Sequence, residues 1–284
     1  MVIYMNKKII SFFLTLLLIS FSFFYTNKII LEARENDPIM IMIKEEQSEF
    51  EIKPIEAISN DNYIIPGISG LSVDVGNSYN KMKSIGKYDR NLLVFEEVPP
   101  SNSIKDNYDN YIISGNKSIP KVSLVVIVED VNNIEEILKI LNSKEVNATF
   151  FLDKKIFDES IELVKLISSF GNDIELLSDN YSIYEVNKYN SILRLITKDK
   201  LSYCYLNEKN DLVLKNCKES KLQSIIPSII TNLNIYGNVK NNLDNGSIIS
   251  INNSTSVVRE LKSTISYIYQ KGKNIVLLNN LLIE

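Results

Sequence analysis

The side chains in this chain that could do chemistry are mostly acids. Glu129 and Asp130 stand side by side at the end of the apolar run Val122-Ser-Leu-Val-Val-Ile-Val128, and Asp173, Glu175 and Asp179 lie further along. A positioned carboxylate is a general base, and several converging carboxylates hold a hard cation such as Mg²⁺ or Ca²⁺. Asp173 and Glu175 are alternate residues of one expected strand and so share a face, although acids at strand ends are normally just solvated. No histidine occurs in the 284 residues, so imidazole is absent both as a ligand and as an acid or base near neutral pH. The two thiols, Cys204 and Cys217, suit a disulfide. Tyr203–Leu206 and Leu212–Leu214 read as strands around the turn Asn210-Asp211, which sets the cysteines opposite one another; two free packed thiols are the alternative.

The elements that must position these groups alternate between strand and helix beyond Lys121, which predicts a largely parallel sheet or barrel with helices outside. Val122–Val128 is continuously apolar, as in a strand covered on both faces. Ile134, Ile137, Leu138 and Leu141 recur at helical spacing, with Asn132 or Asn133 as cap. Ala148–Leu152 is the next strand, and the helix after it turns Leu163, Val164, Ile167 and Phe170 inward and stops at Gly171. Near the end, Gly246–Ile251 reads as a strand, Ser256–Gln270 as a helix and Asn274–Leu278 as a last strand. Between Ser182 and Asn245 the pattern is shortened, with Pro227 interrupting what would otherwise be one helix.

In order and residue type this region resembles the polysaccharide deacetylase family of carbohydrate esterases, which remove N-acetyl groups from cell-wall polymers. The resemblance implies a distorted, incomplete (β/α) barrel, an α/β fold, over residues 121–284. Members end the first barrel strand in T-F-D-D-G, the first Asp as base and the second as ligand of a divalent metal such as zinc; a later H-[ST]-x-x-H supplies two more ligands. Val128-Glu-Asp-Val131 occupies the first motif, with Glu129 at the base position and Asp130 keeping the ligand type. Aligning Gly171-Asn-Asp-Ile-Glu175 with the family's G-H-E-I-G puts Leu177 and Tyr181 on the two histidines and Ser178 on the small hydroxyl. Leu has no lone pair and a neutral phenol is a poor zinc ligand. The R-P-P-Y-G segment has no counterpart near Tyr203–Leu206. In Gly246-Ser-Ile-Ile-Ser-Ile-Asn252-Asn253 the histidine that protonates the leaving amine is Asn252, an amide without a titrating proton.

The resemblance therefore points to a pseudoenzyme without cofactor, with vestigial site positions Glu129, Asp130, Leu177, Tyr181 and Asn252, that binds peptidoglycan, another N-acetylated glycan or an envelope protein. Tyr181, Tyr184, Tyr203 and Tyr205 are candidates to line a sugar groove. Two alternatives stand beside it: a residual de-N-acetylase with an all-carboxylate site built from Glu129, Asp130, Asp173, Glu175 and Asp179, and an envelope scaffold.

Ahead of the barrel, Lys7-Lys8 precede the apolar stretch Ile9–Tyr25, which is just long enough to cross a bilayer with the bulk of the chain outside. A signal-anchor is expected over residues 1–30; cleavage and secretion is the alternative, with Ser20-Phe-Ser22 a poor cleavage site. Residues 31–50 read as a linker and 51–120 as a small α+β accessory domain. That domain carries a helix at Ser78–Ile85 with Tyr79, Met82 and Ile85 on one side, a Gly86 cap, and strands at Leu92–Phe95 and Tyr111–Ser114. A net charge of −4 and a pI near 5.2 leave no basic footprint, which argues against a nucleic-acid partner. With 45% hydrophobic and 23% charged residues, the chain can bury a sizeable core.

Overall fold

The computed structural model describes residues 7–284; residues 1–6 of the expected signal-anchor lie outside the described part. Helix α1 spans Lys7–Glu35, and its Ser11–Glu35 stretch is exposed and is long and apolar enough to cross a membrane. A second helix, α2 (Pro38–Phe50), follows, and Asp37 caps it by accepting the Ile39 N–H, with Pro38 in the first turn. The linker expected over 31–50 is thus helical. Asp-Pro is an N-cap signal, and Ile39, Met40 and Ile43 give the helix a side to bury.

The chain forms two compact units. Residues 54–69 belong to the second and carry the antiparallel strands β1 (Ile58–Asn60) and β2 (Tyr63–Ile65). The first unit joins the chain through Lys53 to Gly70–Val98, with β3 (Gly70–Val73), α3 (Val75–Ile85) and β4 (Phe95–Val98), the two strands antiparallel. Its core is Ile39, Met40, Ile43, Val73, Tyr79, Met82 and Leu93. As the sequence suggests, Gly86 caps α3 in the left-handed region at φ +79° and Tyr79 and Met82 are buried, but Ile85 is exposed. The strand expected at Leu92–Phe95 instead starts at Phe95, after a single 3₁₀ turn over Arg90–Leu92.

Everything from Pro99 onward belongs to the second unit, so the expected 51–120 accessory domain is divided between the two. Its strands β2 and β5 (Tyr111–Ile112) pair in parallel. The remaining elements, in chain order, are β6 (Lys121–Val128), α4 (Ile134–Ser143), β7 (Thr149–Asp153), α5 (Lys154–Glu159), α6 (Ile161–Ser169), β8 (Asp173–Leu177), α7 (Ile183–Ile196), β9 (Tyr203–Tyr205), α8 (Asp211–Glu219), β10 (Gln223–Ile225), β11 (Ile229–Ile230), α9 (Ile235–Asn242), β12 (Ile248–Asn252), α10 (Thr255–Gln270), β13 (Asn274–Ile275) and α11 (Leu278–Leu281). The ladder β11-β12-β6-β7-β8 is parallel throughout. Strands β9 and β10 pair in parallel with each other, and β10 pairs on its other edge with β5. No ladder joins β8 to β9 or β10 to β11 among the described residues. The result is an α/β fold of alternating strands and helices whose barrel is left open at two seams.

The apolar run of β6 explains the core. Val122, Leu124, Val126 and Val128 pack outward with Ile134, Ile137, Leu138 and Leu141 of α4 and with Val257, Leu261 and Ile265 of α10. Val125 and the partly buried Ile127 point inward, among Phe151, Tyr203, Tyr205, Ile225 and Ile248; Leu278 and Leu281 of α11 belong to this inner cluster. With both faces covered, no polar alternation is possible, which is why the segment reads as a continuous apolar run. In α6, Val164 and Ile167 are buried as expected, whereas Phe170 is exposed.

Two expectations between Ser182 and Asn245 are corrected. The segment around Pro227 is not a broken helix: it holds the two short strands β10 and β11, and Pro227 sits between them where no ladder N–H is required. The hairpin around Asn210-Asp211 does not form either. Asn210 accepts the Val213 N–H and starts α8, whose Val213, Leu214 and Cys217 are buried at helical spacing. Cys204 of β9 and Cys217 of α8 are bonded across this strand-to-helix contact, with a Cα separation of 6.3 Å.

Candidate functional site

Parallel strands surrounded by helices concentrate function where the strands end, in the loops that lead into the helices. There the second unit carries an open cleft of about 490 Å³, lined by Ile127 and Glu129 of the β6 end, Leu177 to Asp179 of the β8 end, Tyr205 to Glu208 and Asn210 after β9, and Ser250 and Asn252 of β12.

Strand alternation decides which of the vestigial positions reach it. Glu129 continues the inward series of Val125 and Ile127 and lines the cleft, as do Leu177 and Asn252. Asp130, one residue on, does not. Its carboxylate accepts the Asn132 N–H at 2.8 Å and the Asn253 side-chain amide at 2.9 Å. The Asn253 amide also donates to the carbonyls of Asp130 and Asn132. These contacts, the Asn132 N–H first, hold the Asp130 carboxyl below the usual carboxylate range.

Tyr181 is fully buried rather than exposed to a groove. Its backbone lies in the left-handed region at φ +51°. Its hydroxyl donates to the Leu176 carbonyl at 2.9 Å and accepts the Tyr205 N–H at 2.9 Å. The phenol therefore bridges β8 and β9 where the ladder is missing, and burial pushes its pKa up. Ser178 donates to Glu185 at 2.9 Å, and Glu185 is paired with Lys154 at 2.8 Å. Among the other tyrosines, Tyr205 lines the cleft, Tyr203 is buried within the barrel, and Tyr184 is exposed on α7.

The five acids do not gather. Asp173 and Glu175 occupy the start of β8 and line a separate pocket with Asn172, Ser202 and Asn279; at strand rise, Asp173 lies about 13 Å from Leu177 at the cleft end. Glu175 is 2% exposed, and its carboxyl accepts the Ser202 N–H at 2.9 Å and the Tyr203 N–H at 3.2 Å, a second strut across the β8/β9 seam. Burial, opposed by those N–H groups, pushes it up to about 8. No group of three or more acids or thiols able to hold a metal occurs among the described residues. The all-carboxylate arrangement is corrected on this ground.

Nor do the residues present fit the family's divalent metal. Asp130 lies outside the cleft with one carboxylate oxygen engaged by the Asn132 and Asn253 N–H groups, Leu177 offers no lone pair, and the Tyr181 oxygen is consumed by two backbone partners. Sequence reasoning missed Asn207, Glu208, Asn210, Asn232 and Ser250 as cleft residues. The signal for the loop residues was available, since they follow the strand Tyr203–Tyr205, but reading Asn210-Asp211 as a hairpin turn hid that this loop enters a helix.

No family model matches the chain. It is 34% identical over 147 residues to the Bacillus subtilis uncharacterized protein YlxY, a match that covers 51% of this chain and 46% of that protein; the chain spans about half the length of this curated relative. The structure superposes on BA3943 from Bacillus anthracis, described as a CE4 family pseudoenzyme, with a TM-score of 0.65 and 24% identity over 87% of this chain and 95% of that one. A mutant of BA3943 is described as having restored enzymatic activity. Bacillus subtilis PdaA, a family 4 carbohydrate esterase, superposes with a TM-score of 0.53 and 16% identity, covering 81% of this chain and 97% of that one. The fold is that of the CE4 polysaccharide deacetylases.

Proposed function

We propose that this chain is a membrane-anchored, extracytoplasmic protein that uses a deacetylase-type barrel to bind cell-wall glycan without hydrolysing it. One observation carries the reading. The cleft at the strand ends keeps the amides, carboxylates and hydroxyls that hydrogen-bond a polyhydroxylated ligand, while the ligand positions of the family's metal are filled by Leu177 and by a Tyr181 that bridges two strands. The exposed apolar helix at the amino-terminal end and the Cys204–Cys217 disulfide support an oxidising compartment outside the membrane.

An envelope protein partner is the second reading. Val131, Ile183, Leu212 and Leu233, on the segments that follow β6, β8, β9 and β11, are exposed apolar side chains around the same end of the barrel, the kind of rim that marks a protein contact.

Co-sedimentation of the full chain, in detergent micelles, with cell-wall sacculi tests the proposal, paired with an acetate-release assay on peptidoglycan and chitooligosaccharide. Retention without acetate release is expected. Turnover that Asp130→Ala abolishes would overturn it, and capture by envelope protein but not by sacculi would transfer the assignment to the second reading.

A further inference from the structure

Resting on the reading that α1 crosses a membrane, we propose that the first turn of α2 is a second membrane contact: Ile41 and Met42 sit among the lipid headgroups and upper acyl chains and hold the first unit against the bilayer. From Ser11 to Leu31, α1 rises about 30 Å, the thickness of a hydrocarbon core, and Ile29, Ile30 and Leu31 are still exposed apolar side chains at its far end. Lys28 lies one turn from that edge, near enough for its ammonium to reach the headgroups. Glu32, Arg34 and Glu35 then mark the exit into water, and only Asn36 and Asp37 separate α1 from α2. The first turn of α2 therefore begins at the bilayer surface.

The junction between the two helices is fixed. Arg34 donates to the Gly76 carbonyl at 3.0 Å and lies 4.9 Å from the centre of the Tyr79 ring, Glu35 pairs with Lys44 of α2, and Asp37 accepts from the Tyr79 hydroxyl at 3.2 Å and pairs with Lys83. These contacts tie the end of α1 to both α2 and α3, so α2 does not hang on a free spacer. Its own surface changes character along its length. Ile39, Met40 and Ile43 fill the core of the unit, yet the outward positions of the first turn are Ile41 and Met42, 42% and 43% exposed. One and two turns on, that outward face carries Glu45 and Glu49, both exposed. Scattered exposed apolar residues need no explanation. Here the pair stands on the turn next to the lipid and the acids stand on the turns beyond, the order in which a helix leaving an interface meets acyl chain, headgroup and water.

The chain has no tryptophan, so one introduced indole reports its own surroundings. The full chain carrying Leu18→Trp, Met42→Trp or Glu49→Trp, each at an exposed position, is reconstituted into phosphatidylcholine vesicles with and without brominated acyl chains, and quenching and emission wavelength are read. Leu18→Trp, inside the span, and Met42→Trp are both expected to lose most of their emission to the brominated lipid. Glu49→Trp is expected to keep its emission, at the longer wavelength of an indole in water. Adding Ile41→Asp to Met42→Trp is expected to restore most of the lost emission. If Met42→Trp stays unquenched while Leu18→Trp is quenched, the contact is overturned and the anchor stands, whether the emission is water-like or, as under a protein cover, shifted to shorter wavelength. Equal quenching of Met42→Trp and Glu49→Trp overturns the assignment to the first turn. An unquenched Leu18→Trp removes the membrane span itself, and the contact with it.

Discussion

Tyr181, which the resemblance sets on a metal-ligand position, serves the fold in this structure. Its hydroxyl satisfies one carbonyl of β8 and one N–H of β9, and a buried backbone group left without a partner costs about 1–3 kcal/mol. Tyr181→Phe, which keeps the ring and removes the oxygen, is therefore expected to lower stability by roughly 2–4 kcal/mol in a urea titration; an unchanged midpoint would refute the strut. Installing Leu177→His, Tyr181→His and Asn252→His together is expected to yield no stoichiometric zinc by elemental analysis, because Asp130 would still be turned toward Asn253. Glu175 gives a pH signature. Its carboxyl has an ordinary value of 4.5 and stands at about 8 in the fold, so between those values the folded state holds more protons than the unfolded chain. Its contribution is complete below about 4.5 and is lost as pH rises through 8. Wild-type melting temperature should fall between pH 5 and pH 8.5, roughly, on this linkage, and Glu175→Gln should flatten that part of the profile. The residue types at the vestigial positions were legible in the sequence. Their orientation was not: Glu129 and Asp130 differ by one step along a strand, and one step exchanges the cleft for the outside.

At the level of elements, legibility followed the length of the repeating pattern. Strand β6 and helix α4 each bury a continuous apolar set and fell where the periodicity put them. Helix α8 did not, because an Asn-Asp pair is both a turn signal and an N-cap signal, and only the burial of Val213, Leu214 and Cys217 decides between them. The short strands β10 and β11 are set by pairing rather than by composition, so Pro227 was misread. The link between α8 and β9 has a measurable weight. Replacing Cys204 and Cys217 by serine opens a loop with a sequence separation of 13 and is expected to cost about 3 kcal/mol by loop entropy, seen as a matching loss on reduction of the wild type. Gly246, at φ +78°, would place an added Cβ 2.3 Å from the Gly115 carbonyl oxygen. Gly246→Ala is expected to cost roughly 1–3 kcal/mol or more, since backbone must move; full wild-type stability would show that the approach is looser.

Across the whole molecule, the polypeptide was expected to divide at Lys121, between an accessory domain over 51–120 and the barrel over 121–284. The division lies elsewhere. Residues 54–69 and 99–120 are woven into the second unit: β2 and β5 extend the sheet that β9 and β10 begin, Gly115 and Gly246 meet through backbone groups, and Glu284 accepts the N–H groups of Gly67 and Ile104. Local periodicity cannot reveal this, because the pairings join segments more than a hundred positions apart, as Tyr111 with Ser224.

That weaving governs how the protein can be cut. Removing the chain ahead of Lys121 would strip β5 from β10 and leave the bare peptide groups of Gln223–Ile225 as an unprotected margin, the surface on which identical molecules zip together. Such a fragment should come out of cells as inclusion bodies, and a soluble, monodisperse one would mean that β10 guards itself.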